Sequence, residues 1–113
     1  MLLKIDYKDF LKVEIRSGTI VKAEYFSETK IPAYKIWVDF GKDLGIMKTS
    51  SQVADNYNEK SLIGKSVIGC INLGIKRIAG FDSDFLLLGF EDQNGFVKLA
   101  TFDAKVENGK RLL

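Results

Sequence analysis

The sequence predicts an all-β fold, a small five-stranded Greek-key barrel with short helices and terminal extensions. Short runs of alternating apolar and polar residues, separated by glycine and polar turns, indicate the strands. The longest run, residues 13–24, carries Gly18 near its middle. A long first strand that bends at a glycine can pair with both halves of a barrel. The single proline, Pro32, falls in a predicted loop and challenges no strand.

The first two elements are a helical turn and the long strand. Residues 6–11 are expected to form one turn capped by Asp6, with Tyr7, Phe10 and Leu11 directed inward. In the strand at 13–24, alternation gives one apolar face and one polar face. The face that we expect to point inward comprises Val13, Ile15, Ser17, Thr19, Val21 and Ala23.

The later elements follow from the same patterns. In the second strand, Tyr34, Ile36, Val38 and Phe40 share one face. Residues 41–43 are expected to form a hairpin turn. The expected elements, in chain order, are strands at 33–40 and 44–50, helical pieces at 53–57 and 59–63, strands at 66–73 and 84–90, and a further strand at 96–102.

The composition is that of one globular domain, residues 1–113, which is large enough for a core without disulfides. Its net charge of +2 is too small to indicate a nucleic-acid partner, so the distribution of charge must carry that argument. Cys70 lies in an apolar run and is expected to be buried. We predict a cytoplasmic protein without membrane insertion, because no signal peptide and no membrane-spanning run is recognisable.

Catalytic and metal sites find no support in the sequence. The chain has no histidine, which removes the commonest general base and the usual partner of a nucleophilic serine. One cysteine without histidine leaves no zinc site, and the glycine-rich phosphate motifs are absent. We therefore expect a protein that is not an enzyme and that uses no cofactor.

The sharpest candidate for a binding site lies in the run from Leu62 to Leu88. Lys76 and Arg77 occupy a turn between two apolar strands, and Ser83 follows shortly after. Two cations and a hydroxyl at the rim of a β-sheet fit a phosphate backbone. The same charges could instead keep a sheet edge soluble.

A second candidate is the polar segment that leaves the third strand. It comprises Lys48, Thr49, Ser50, Ser51 and Gln52. A cation, hydroxyls and an amide can bond phosphate and sugar oxygens, although Ser50 or Ser51 could instead cap the next helical piece. Arg16, on the outward side of the first strand, could also contact RNA, but a cross-strand pair with a carboxylate is favoured.

Aromatic side chains indicate a contact surface. Trp37 is predicted to face outward, where it could stack on a nucleotide base. It could equally cover a dimer partner, which we favour, because large exposed apolar groups usually mark an interface. We assign Phe81 and Phe85 to the same dimer or polypeptide surface.

The motif from Asn72-Leu73 through Lys76-Arg77, Gly80 and Ser83 to the leucines at 86–88 resembles that of the tRNA-binding domain family of OB-folds. Residues 9–24 and 26–35 are similar to the first strand and the following loop of that family. Residues 39–41, 45–46, 48–53, 78–81 and 108–110 are similar to its stand-alone branch, the CsaA-type export chaperones. The resemblance implies an OB-fold homodimer, joined with help from the terminal extensions, that binds tRNA or another structured RNA. It also implies a chaperone-like role toward unfolded precursor proteins or the export machinery. The alternative is a docking module that tethers a partner enzyme, with RNA binding incidental.

Overall fold

The computed structural model describes residues 1–113 and contains an antiparallel sheet rolled into a nearly closed barrel. The sheet order is β3-β2-β1-β4-β7, and β5–β6 and β8–β9 form two further pairs. The all-β prediction is therefore confirmed. The elements are α1 (Tyr7–Leu11), β1 (Ile15–Tyr25), β2 (Tyr34–Asp39), β3 (Ile46–Ser51), α2 (Glu59–Leu62), β4 (Ser66–Cys70), β5 (Lys76–Ile78), β6 (Phe81–Ser83), β7 (Leu86–Leu87), β8 (Gly89–Glu91) and β9 (Val97–Leu99).

The barrel closes where β3 meets the residues just before β7. The Asp84 amide donates to the Lys48 carbonyl at 2.8 Å, and Thr49 Oγ1 donates to the Phe85 carbonyl at 2.8 Å. At the centre of the sheet, β1 pairs with β4 through its first part and with β2 through the rest. The long first strand therefore joins both halves of the barrel, as predicted.

The core fills the inside of this barrel. All four inward positions predicted for β2 belong to it, so that prediction is confirmed. Their alternation leaves Lys35, Trp37 and Asp39 on the outer side of the same strand. The buried cluster comprises Ile20, Ala23, Tyr34, Ile36, Val38, Phe40, Val53, Leu62, Val67, Phe85 and Leu87.

The predicted face assignment of β1 is wrong because the strand contains a bulge. Ile20 pairs with Val38, and the next pair joins Lys22 to Trp37. Val21 is therefore an extra residue without a partner, and it is 43% exposed, whereas Ile20 is 1% exposed. A bulge reverses the alternation of a strand, so one period-two pattern could not describe both sides of it.

Two glycines leave room for an aromatic pair in the core. A Cβ on Gly18 would lie 2.5 Å from Val38 Cγ1, and one on Gly69 would lie 2.7 Å from Phe85 Cδ2. The rings of Phe40 and Phe85 meet edge to face there, with centroids 5.0 Å apart. Close packing is thus the reason for glycine at position 18, where the sequence predicted a bend.

The short helices match the prediction only in part. Helix α1 begins after Asp6, whose side chain makes no capping hydrogen bond. Tyr7 and Leu11 are exposed, so their predicted inward orientation is wrong, whereas Phe10 is half-buried. The turn lies outside the buried core cluster. Residues 53–57 form a turn instead of a helix. No helix in the chain is long and apolar enough to cross a membrane.

Residues 107–112, here called the C-terminal segment, run alongside the first part of β1. The Ser17 amide donates to the Lys110 carbonyl at 2.9 Å, and the Gly109 amide donates to the Ser17 carbonyl at 2.7 Å. Ser17 Oγ also donates to the Glu107 carbonyl at 2.6 Å. The segment therefore covers the edge of β1 that β2 does not reach.

Candidate nucleic-acid interface

The basic turn predicted from the sequence is a complete hairpin, β5–β6. Its two turn residues, Ala79 and Gly80, have φ values of 48° and 79°. Positive φ at both central positions is the geometry of the tight type I′ turn, which suits the twist of paired strands. The register then places Lys76 opposite Ser83 and Arg77 opposite Asp82.

Lys76 and Arg77 do not act as one cationic pair, because neighbouring strand residues point to opposite faces. Arg77 Nη1 lies 3.4 Å from Asp82 Oδ1, so its charge is partly compensated. Lys76 instead lines a cleft, together with Ser83, and forms no ion pair. Of the two predicted cations, Lys76 is thus the one that is free to meet a ligand anion.

The cleft beside Lys76 has a volume of about 610 Å³ and is bounded by the hairpin, the end of β3 and the loop that follows β1. It gathers most of the residues that the sequence analysis assigned to RNA: Ser50, Ser51, Gln52, Lys76 and Ser83. Lys30, from the loop, is an addition. The apolar part of its lining comprises Ile31, Ala33, Leu73, Ile75, Ile78, Phe85 and Leu86.

The inner polar groups of the cleft are already hydrogen-bonded. Ser83 Oγ accepts from the Ser50 amide at 3.0 Å and lies 3.4 Å from Ser50 Oγ. Thr49 is 2% exposed and its hydroxyl is used in closing the barrel. The side chains of Ser51 and Gln52 make no hydrogen bond within the protein. The outer groups are therefore the ones available to a ligand.

The alternative capping role of these serines is not realised, because residues 53–57, which they were expected to cap, form a turn instead of a helix. Helix α2 is capped by Asn58, whose side chain accepts from the Ser61 amide at 2.9 Å. The Ser61 hydroxyl in turn accepts from the Asn58 amide, which completes a capping box. Ser50 and Ser51 belong to β3 and take no part in it.

Next to the cleft, the outer side of the sheet carries aromatic rings beneath lysine ammonium groups. Trp37 and Phe81 pack edge to face with centroids 6.0 Å apart. Lys22 Nζ lies 4.6 Å from the Trp37 ring centroid, and the Nζ atoms of Lys35 and Lys48 lie 5.2 and 5.7 Å from that of Phe81. These distances are those of cation–π contacts. We call these five residues the lysine–aromatic face.

Phe85 is a core residue that also lines the cleft, and it is too deeply buried for the dimer or polypeptide surface to which the sequence analysis assigned it. It is 3% exposed and packs against Phe40, because it follows β6 into the barrel. Trp37 and Phe81 are half-buried and cover each other. More exposed apolar side chains lie at the cleft mouth, in residues 1–7 and at scattered positions such as Ile46, Ile63 and Phe90.

The guanidinium of Arg16 forms hydrogen bonds within the protein. Its Nη2 lies 2.8 Å from Glu14 Oε1, and its Nη1 donates to the Gly109 carbonyl at 2.9 Å. The favoured carboxylate pair is thus present, although within one strand and not across two. The hydrogen bond from Arg16 lowers the pKa of Glu14, and the charge of Arg111 lowers it further. Arg16 takes no part in the lining of the cleft beside Lys76.

Three lysines of this region were missed in the sequence. The spacing of Lys35 and Trp37 on β2 does place both on the outer face, and that signal was available. Lys22 lies on the outward face that the alternation predicted, but it was not selected as a site residue. Lys30 lies in a loop, where no periodicity predicts orientation.

Comparison with known proteins points to one family of domains. A family model described as "Putative tRNA binding domain" matches residues 15–111. Chaperone CsaA from Bacillus anthracis superposes with a TM-score of 0.92 at 35% identity, over 98% of this chain and 100% of that one. The CsaA chaperone protein from Picrophilus torridus gives 0.90 at 39% identity, over 97% and 100%. The methionine–tRNA ligase of Methanosarcina mazei is 31% identical over 96% of this chain, which spans only 15% of that enzyme's length.

Proposed function

The chain belongs to the tRNA-binding domain family, and from that premise we propose that it binds tRNA or another structured RNA and itself catalyses no reaction. The observation that carries the proposal is that the cleft and the lysine–aromatic face lie side by side. Lys48 and Ser50 share one face of β3, and Ser50 contacts Ser83 at the cleft. Five lysines, Lys22, Lys30, Lys35, Lys48 and Lys76, therefore lie along one continuous surface.

Such a surface suits an RNA backbone even though the whole chain has a net charge of only +2. Lysines that neutralise phosphates release counterions, so each contact steepens the salt dependence of binding. The aromatic rings beneath them add a platform on which a base can stack. The positions of the lysines, more than the net charge of the chain, thus support the proposal.

The experiment measures tRNA affinity against salt concentration by fluorescence anisotropy. The double variant Lys35→Ala/Lys76→Ala should bind more weakly, and the slope of log K against log salt should become shallower by about 2, since each phosphate contact contributes about 0.9. The control, Lys42→Ala/Lys105→Ala, removes the same charge from exposed lysines outside this surface. Absence of tRNA binding, or an equal loss in the control, would contradict the proposal.

We also propose that the chain forms a homodimer through residues 1–7. The most exposed apolar side chains of this segment are those of Met1, Leu2, Leu3, Ile5 and Tyr7. The C-terminal end also exposes Leu112 and Leu113, but the N-terminal segment exposes five large apolar side chains and therefore offers the larger apolar surface. Light scattering should give twice the chain mass of 12.7 kDa, and a clean monomer would refute the dimer.

A chaperone-like role toward unfolded precursor proteins, including contact with the export machinery, is the finer proposal. Two solved structures that match the whole chain are of proteins named as CsaA chaperones, and exposed apolar side chains are what a holding activity requires. Suppression of the aggregation of an unfolded client protein tests this role. The RNA-binding role would place the protein in the cytoplasm.

The second candidate is a docking module that tethers a partner enzyme. It is favoured by the ligase relatives, in which the matching region is a small part of a longer protein. Salt separates the two candidates, because RNA binding weakens steeply with added salt whereas docking through apolar surface does not. A chain that binds a ligase but no tRNA would support the docking module.

A further inference from the structure

We propose that the cleft beside Lys76 holds one unpaired nucleotide of the bound RNA. This inference rests on the proposed function and deepens it, since it names the feature of the RNA that the site recognises. The ligand is a base that is splayed out of a loop, bulge or single-stranded end, with its own phosphate. RNA-binding proteins commonly target such unstacked bases, because their edges and faces are open to contact.

The charge of the cleft fits a phosphate. Lys30 and Lys76 are the only charged residues in its lining, and no carboxylate lines it. Neither lysine forms an ion pair, in contrast to Lys48, which lies 3.9 Å from Asp84, and Arg77, which pairs with Asp82. The cleft thus holds two ammonium groups without a carboxylate partner, which an anion would compensate.

The walls of the cleft fit a base and not a duplex backbone. Leu73, Ile75 and Leu86 are 63%, 70% and 50% exposed, although they surround a cavity of about 610 Å³. That volume lies within the range of about 300–1,000 Å³ found for small-molecule sites. A sugar–phosphate backbone offers no apolar face to such walls, whereas the face of a purine or pyrimidine would cover them.

The free polar groups at the mouth supply donors and acceptors for a base edge. The hydroxyl of Ser51 and the amide of Gln52 can each donate and accept, and neither is used within the protein. With the lysines on the phosphate and the aliphatic walls on the base face, the lining then provides one partner for each part of a nucleotide.

A segment of unfolded polypeptide fits the same cleft less well. A neutral apolar segment would cover the ammonium groups of Lys30 and Lys76 without compensating them, which is costly. The positively charged start of a secretory signal sequence would be repelled by them. The observations therefore favour the nucleotide, and peptide binding becomes an outcome of the test.

The test compares three fluorescent probes at one salt concentration. They are a short single-stranded oligoribonucleotide, a blunt RNA duplex with the same number of phosphates, and a neutral apolar peptide. The variant Ile75→Ala removes part of the apolar wall, and Ile46→Ala is its control, because Ile46 is 61% exposed on β3 and does not line the cleft. Lys30→Ala, with Lys42→Ala as its control, tests the phosphate contact.

We expect the parent chain to bind the single strand more tightly than the duplex. Ile75→Ala should weaken binding of the single strand about 5-fold, because the base loses apolar contact with the wall, and leave binding of the duplex unchanged. Lys30→Ala should weaken the single strand by a similar factor, and both controls should be neutral. Circular dichroism checks that every variant remains folded.

Two results would overturn the inference while the proposed function stands. One is tRNA binding that Ile75→Ala and Lys30→Ala leave unchanged, and the other is equal affinity for the single strand and the duplex. If these variants bound the peptide more weakly but the oligoribonucleotide as tightly as the parent, the cleft would be assigned to a polypeptide. Failure of tRNA to bind at all would instead refute the proposed function, which this inference requires.

Discussion

The variant Gly69→Ala tests whether close packing in the core is the reason for a glycine on β4. The added Cβ would lie 2.7 Å from Phe85 Cδ2 and 2.9 Å from Phe40 Cζ. An ordinary contact begins near 3.4 Å, so the Phe85 ring must retreat by about 0.7 Å, which is the difference between 3.4 and 2.7 Å. Phe40 also contacts the added methyl group, so that group cannot move away from Phe85 without a second clash.

The free energy of unfolding should fall by about 1–2 kcal/mol. Overpacking of a dense core costs about 1–3 kcal/mol. Replacing glycine by alanine returns about 0.4–1 kcal/mol, because the unfolded chain loses conformational freedom. The native backbone at Gly69 has no positive φ, so no strain of that kind adds to the loss.

Urea denaturation, followed by Trp37 fluorescence and by circular dichroism, measures the change. A loss of this size lowers the midpoint by about 1 M for a slope typical of small proteins. The double variant Gly69→Ala/Phe85→Leu should lose less than the sum of the two single variants, by about 1 kcal/mol, because the smaller side chain relieves the clash. Phe85 also lines the cleft and accepts the hydrogen bond of Thr49, so RNA affinity should fall with Gly69→Ala.

This reasoning would be refuted if Gly69→Ala had the same free energy of unfolding as the parent. It would also be refuted if the losses of the two single variants simply added in the double variant. Either result would mean that the aromatic pair relaxes without cost. The glycine would then need another explanation.

Two further predictions concern the hairpin turn and the fall in stability at acid pH. Gly80→Ala should lower the free energy of unfolding by about 1–2 kcal/mol, since φ is 79° there and no atom crowds the site, so only the backbone conformation is penalised; an unchanged urea midpoint would contradict this. The lowered pKa of Glu14 contributes stability that is fully present above its ordinary value of 4.5 and is lost as the pH falls through the lower folded value. Glu14→Gln should therefore flatten the loss of stability between neutral pH and about pH 3, and a parallel pH profile for parent and variant would argue against the contribution.

The sequence predicted the strands whose pattern is uninterrupted. On β2 the alternation of Tyr34, Ile36, Val38 and Phe40 runs without a break, and all four are buried. On β1 the same reasoning failed, because Val21 is a bulge that local sequence does not mark. The β5–β6 hairpin was taken for a turn, since its strands have three residues each and are too short to show a period.

The candidate site was predictable where its residues share one chain segment. Ser50, Ser51 and Gln52 were predicted from one segment, whereas their meeting with Lys76 depends on the contact between β3 and the hairpin, which needed the structure. Phe85 could not be placed by composition, since an aromatic side chain suits a core and an interface equally. The different partners of Lys76 and Arg77 could also be seen only from the register of the hairpin.

β1 precedes the other strands described here, yet the C-terminal segment that covers its edge follows all of them in the chain. The hydrogen bonds of this segment to Arg16 and Ser17 span 93 residues of chain. Contacts of such long range form slowly, because loop closure must be achieved before they contribute any stability. Until then one edge of β1 lacks a partner, and an open edge can pair with another chain. The yield of correctly folded protein therefore depends on how quickly these last residues dock, and crowded nascent chains would be the condition most prone to aggregation.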